Sequence, residues 1–219
     1  LIPNSSIEIG NGRLNTNLNV NIPSFAQINS TRIDGLISLQ GLKGKAKQLA
    51  QPFEANSQLR FRQEKIGVED TQASIGDLVA KVSGNVNWEK GYNLDFAVLP
   101  FNLNSLVAIL PERLPVETDG LLQANLKLVG AIKQPLLTGV INSFKPIRIE
   151  KTQFKRISTN FYADLNNFVI NSLQLLPAAG GQITGDGKIK TQLGESLQQN
   201  RPIDFNNMPL AFNFRAKLP

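Results

Sequence analysis

The residues able to do chemistry are few in kind. Among 219 residues there is no histidine and no cysteine. That removes the commonest metal ligand, the base that titrates nearest neutral pH and every thiolate. Carboxylates remain, and the pairs to weigh are Asp70 with Asp77, Glu64 with Glu69, and Asp164 with Asp186. Two converging carboxylates would do general acid–base work of the kind that cleaves a glycosidic bond. Nothing in their spacing makes them converge, and Asp34, Asp119 and Asp186, each beside a glycine, read more simply as turn residues. The expectation is a chain that is not an enzyme, with no catalytic residue, no cofactor and no metal.

The basic residues point nowhere sharper. Lys plus Arg number 23 against 17 Asp plus Glu, a net charge of +6, but the excess is spread out. Lys43, Lys45 and Lys47 alternate with Gly44 and Ala46 and so share one wet face; on an edge strand they would discourage stray pairing. Arg148, Lys151, Lys155 and Arg156, close to Glu150, read as a solvated face, with anionic head groups as the alternative partner. No basic and aromatic residues interleave, so nucleic acid is not an expected partner.

The elements that would carry these side chains announce themselves by a period of two. In GRLNTNLNVNI, Leu14, Leu18, Val20 and Ile22 take one parity and Asn15, Asn17, Asn19 and Asn21 the other. Phe53, Ala55, Ser57, Leu59 and Phe61 repeat the pattern, as do Leu78 to Trp88, Tyr92 to Val98, Leu122 to Leu128, Ile147 with Ile149, Ile157 through Phe161 to Leu165, and Phe212 to Leu218. Such ribbons have one dry face and one wet face, which predicts an antiparallel meander rather than a doubly covered parallel sheet. One segment departs: Leu103, Leu106, Val107 and Leu110 have helical spacing, with Asn102 or Asn104 to cap the start and Pro111 and Pro115 to limit the end. A short amphipathic helix near 103–110 is predicted as a plug over the end of a sheet.

Two blocks share an order of landmarks: an alternating strand, a proline (Pro23, Pro100), Asp-Gly (Asp34-Gly35, Asp119-Gly120), a glycine (Gly44, Gly130) and Gln-Pro (Gln51-Pro52, Gln134-Pro135). The reading is one continuous β-rich section, 1–219, with approximate repeats over 14–100 and 92–190 and C-terminal strands over 200–219. Leu1 in place of Met, and the stop at Pro219, read as a slice of a longer repetitive protein. No apolar run approaches the roughly 18 residues of a transmembrane helix. Gly84, Gly181, Gly185 and Gly187 are expected to bend the sheet, Gly187 being equally readable as a turn residue. Ala124 and Gly185, being small, are expected to widen any hollow locally.

These patterns, and above all GLLQANLKLVGAIKQPLLTGVI followed by GGQITGDGKI, resemble the TamB family of the wider AsmA-like group, best from Ile9 to Lys190. The Asn/Gln-rich flavour is similar to cyanobacterial or plastid members. The resemblance implies a long curled, mostly antiparallel sheet forming an incompletely closed taco or half-pipe with an apolar interior. It also implies inner-membrane anchoring, a place in the periplasm or the space between envelopes, and phospholipid or another acyl lipid as cargo. An outer-membrane barrel of the Omp85 family is the implied protein partner. It supplies no catalytic residue; what it implies is a greasy surface. The lining expected from strand parity is Leu59, Phe61, Val82, Val86, Leu94, Phe96, Leu122, Leu126, Phe161, Ile183, Phe212 and Phe214. The alternatives are a strand-docking scaffold for outer-membrane protein assembly and a closed β-sandwich with no lipid role.

Overall fold

The computed structural model describes residues 7–23, 31–46, 49–109, 117–191, 194–195 and 208–217. In chain order the strands are β1 (Ile7–Ile9), β2 (Arg13–Asn21), β3 (Arg32–Ala46), β4 (Phe53–Arg62), β5 (Lys65–Ile75), β6 (Leu78–Asn87) and β7 (Gly91–Asn102). The helix α1 (Leu103–Ala108) follows, then β8 (Thr118–Asp119), β9 (Leu121–Gly130), β10 (Leu136–Ser143), β11 (Ile147–Ile149) and β12 (Thr152–Ala163). The last three are β13 (Asn167–Pro177), β14 (Gln182–Lys190) and β15 (Leu210–Lys217). All fifteen strands belong to one sheet, in the order β1-β3-β4-β5-β6-β7-β9-β10-β12-β13-β14-β15. β2 lies beside β3, and β8 and β11 pair with each other beside β12. Each described pairing is antiparallel, as alternation predicts.

The sheet is elongated and open. Its path begins at β1 and β2 and ends at β15, and these two edges do not pair. The sheet is not strongly curled, so the expected incompletely closed taco or half-pipe is not formed. A closed sandwich is not formed either: among the described residues only Ile147 is a large side chain with under 2% exposure, whereas two stacked sheets would bury a whole inner layer. The chain exposes 14455 Å², against roughly 10,000 Å² for a compact monomer of this length. The physical reason for the correction is that period-two alternation states which face is dry and is silent on curvature. Curvature needs bulges whose bends add in one sense.

Bulges do occur, and they do something else. Register shifts fall at Leu39/Leu42 in β3, Val68/Thr71 in β5, Val98/Phe101 in β7, Phe154/Arg156 in β12 and Ile170/Leu173 in β13. At each of these the apolar residues jump from one sequence parity to the other: Ile66 and Val68 before the bulge, Thr71, Ala73 and Ile75 after it. One extra residue restores the same physical face after a break in the sequence pattern. Gly41 (φ 58°) and Asp70 (φ 42°) are the residues that turn left-handed at two of these breaks.

The helix is six residues long and does plug the sheet. Asn102 Oδ1 accepts the N–H of Asn104 at 2.8 Å, satisfying one of the free donors of the first turn. Asn104 in turn donates to the Thr118 carbonyl at 2.8 Å and accepts the Thr118 hydroxyl, tying α1 to β8. Leu103 and Leu106 pack on the one described core cluster, formed by Phe101, Leu122, Ala124 and Ile147. Leu110, Pro111 and Pro115 lie outside the described residues, as do Lys47, Leu218 and most of 200–219 beyond β15.

Candidate functional site

The register carries one parity across nearly the whole sheet. Starting in β3, successive Cα partners are Ile37, Leu59, Val68, Gly84, Leu94, Leu128, Leu137, Ala163, Phe168, Ile189 and Leu210, ending in β15. No member of that row is polar. A second row reads Val82, Phe96, Leu126, Gly139, Phe161, Ile170, Gly187, Phe212. A third, toward one end of the strands, reads Leu18, Gly35, Phe61, Ile66, Val86, Tyr92. A fourth reads Leu42, Ala55, Ala73, Ala80, Val98, Ala124, Ile141, Thr159, Leu173, Gly185, Phe214.

All twelve residues expected to line a groove fall on this face. Leu59 and Leu94 are in the first row, and Val82, Phe96, Leu126, Phe161 and Phe212 in the second. Phe61 and Val86 are in the third and Phe214 in the fourth, while Leu122 pairs with Phe101 and Ile183 with Leu175. They are brought together as a broad surface, not as the walls of a trough. Most are half-buried by their neighbours on the same face; Val82, Leu122 and Phe161 are buried, and Phe214 at the β15 edge is 60% exposed.

Glycines on this face are covered by rings instead of opening it. The Phe161 ring stands over Gly139, Phe212 over Gly187, Phe214 over Gly185 and Phe53 over Gly44. Each ring lies across the strand and fills the place a side chain would take. Gly185 and Gly187 therefore do not widen anything, and Gly187 is a strand residue rather than a turn. Ala124 is not an opening either, since it sits in the core cluster that α1 packs against. A hollow of about 630 Å³ opens among Gln72, Lys81, Ser83, Asp95 and Asn125, with Val82, Phe96 and Leu126 also in its wall.

That wet face is knitted by cross-strand polar pairs. Lys43 meets Glu54 at 3.3 Å, Lys127 meets Asp95 at 3.3 Å, and Arg60 Nε donates to Glu69 at 3.0 Å. The hydrogen bond from Arg60 holds the Glu69 carboxyl below the usual range. Asp186 accepts from Asn213 Nδ2 at 3.0 Å, and the Ser158 hydroxyl donates to Asn142 Oδ1 at 2.7 Å. Asp34, Asp119 and Asp186, expected in turns, all lie in strands, because glycine beside them serves close strand approach or ring cover rather than a reversal. Lys43 and Lys45 lie on β3 with strands on both sides, not on an edge.

The carboxylates stay apart in role. Glu64 and Asp77 occupy turns at opposite ends of β5, and Asp70 is the bulge residue between them. Asp164 shapes the β12–β13 turn by accepting the N–H groups of Asn166 at 2.7 Å and Asn167 at 2.8 Å. Those bonds hold its carboxyl below the ordinary value. Among the described residues no three acidic groups gather in a way that would hold a metal ion. No helix among them is long and apolar enough to cross a membrane. Compared with known proteins, the chain matches no family model, no curated protein and no solved structure.

Proposed function

We propose that this chain handles acyl lipid without chemistry, as a section of a TamB-like protein working between the inner and outer envelope membranes. Its open apolar sheet face takes the part first expected of a tube's interior. The observation that supports this reading is the unbroken apolar row from Ile37 to Leu210, repeated by its neighbours. Twelve strands in path at roughly 4.8 Å spacing extend about 50 Å, and eight to ten residues per strand add about 30 Å in the other direction. A face of that order greatly exceeds the roughly 300–600 Å² apolar patch of an ordinary monomer, so it calls for a cover.

Acyl chains make a suitable cover. Each methylene moved out of water contributes about 0.8 kcal/mol, so a sixteen-carbon chain gains on the order of 10 kcal/mol before entropy and head-group costs. Head groups stay in water, because the face offers them no partner. Many similar weak positions, with no deep pocket, let a chain slide rather than lodge. Transfer of fluorescent phospholipid from donor to acceptor vesicles tests the reading. Leu94→Glu and Phe96→Glu should slow transfer by roughly tenfold, whereas Asn93→Glu on the wet parity should leave it unchanged. Absence of transfer by the unaltered protein, or transfer indifferent to these charges, defeats it.

The edges favour a second reading, strand docking in outer-membrane protein assembly with an Omp85-type partner. β15 pairs only with β14 among the described strands, and Leu210 and Phe214 on it are exposed. An extended peptide can add to such an edge. Proline at Ala216, whose N–H faces the free edge, would remove docking while leaving lipid transfer intact, and so separates the two.

A further inference from the structure

The chain holds a single tryptophan, and it is not in any core. Trp88 stands at the tip of the β6–β7 hairpin with 58% of its surface exposed. The tip is well built. Asn87 Oδ1 accepts the N–H groups of Glu89 at 2.9 Å and Lys90 at 2.8 Å, and the Trp88 N–H donates to the Glu64 carbonyl of the β4–β5 turn at 3.1 Å.

On its other side, Tyr92 pairs with Gly130, which sets the β9–β10 turn alongside. That turn is closed by the Gln134 N–H on the Ala131 carbonyl at 2.9 Å and presents Ile132, also exposed. Three hairpin tips thus adjoin along one rim of the sheet, two strand spacings or about 10 Å apart. They carry an indole, an isoleucine and the exposed lysines Lys90 and Lys133. Glu64 and Glu89 balance those two charges, and the exposed Arg62 and Lys65 flanking the β4–β5 turn leave the rim net positive.

We propose that this rim docks on a lipid bilayer surface. An indole is amphipathic and settles at the head-group level, with an aliphatic neighbour reaching further in. Lysines beside it keep their charge in the head-group layer, where anionic lipids attract them. The rim borders the third apolar row, Phe61 to Tyr92, so a chain leaving the bilayer here meets the apolar face without crossing a polar strip. The opposite ends of β6 to β12 offer no such path, because α1 and Ile147 close the face there; the exposed Phe144 at that end leads onto core. Only the direction of lipid travel rests on the function proposed above; docking stands or falls separately.

The native tryptophan is its own probe. Titrating the protein with vesicles of zwitterionic lipid containing a fraction of anionic lipid should move Trp88 emission to shorter wavelength. Bromine-labelled acyl chains should quench it. Ile132→Asp should weaken partitioning, and Lys90→Gln and Lys133→Gln should each weaken it about fivefold on anionic vesicles. Phe144→Asp, at the far rim, should change nothing. An emission spectrum unmoved by vesicles overturns the proposal, as does a shift that survives Ile132→Asp and both lysine changes, or one abolished by Phe144→Asp. Lipid transfer with a silent Trp88 keeps the apolar-face reading and removes the docking rim; quenching without transfer does the converse.

Discussion

Single residues hold this sheet in register by unusual backbone or by one side chain spanning a turn. Gly84 has φ 124°, and a Cβ there would run into the Asn93 carbonyl of β7. Gly84→Ala should cost about 1–3 kcal/mol, measured by urea unfolding, through strain and lost close approach. Asp164 gives a pH-dependent counterpart. Its folded carboxyl titrates below the ordinary value near 3.9, so the turn's contribution is complete above that pH and is lost as pH falls through the lowered value. Asp164→Ala should destabilise by about 1 kcal/mol at pH 6, and the gap to the unaltered protein should narrow toward pH 2. A gap that is constant with pH would mean the ionised carboxylate is not what shapes the turn.

At the scale of elements, the bulges explain both what alternation revealed and what it hid. β2, β4, β6 and β9 hold one parity throughout, and their boundaries could be read from Leu14, Phe53, Leu78 and Leu122 onward. β5 and β13 change parity midway, at Asp70 and near Asn171, and only as strand pairs do they align with their neighbours. A period-two reading loses such strands because one inserted residue cancels the phase. The turn assignments of Asp34, Asp119 and Asp186 failed for a related reason: glycine beside them serves close contact within a sheet. The twelve-residue surface was readable from parity alone, whereas its openness was not. Curvature is a sum over bulges and twists that no local pattern states.

Two changes to β5 test this account. Deleting Asp70 removes the extra residue and leaves Val68, Glu69 and Thr71 in plain alternation, so Thr71, Ala73 and Ile75 keep the dry face and the cooperative thermal transition should survive. Asp70→Gly keeps the extra residue and relieves a left-handed aspartate, so it should fold, with stability unchanged or raised by up to about 1 kcal/mol. Loss of the cooperative transition on deleting Asp70 would contradict the account, since the facing of every apolar side chain is kept.

As a whole molecule, the sheet divides its labour by face. The wet side is joined by ion pairs such as Lys127 with Asp95 and by amide and hydroxyl contacts, which tie neighbouring strands in register. The dry side has few fully buried residues and one helical plug, so most of its apolar surface awaits a cover that this chain does not itself supply among the described residues. The most direct test of that claim is to load the protein with a photoreactive fatty acid, irradiate it and map the adducts by peptide mass spectrometry. Adducts should collect at Leu59, Leu94, Phe96 and Leu126 and spare their wet-parity neighbours Asn93, Asp95 and Lys127. Adducts scattered over both parities, or none above background, would contradict the account.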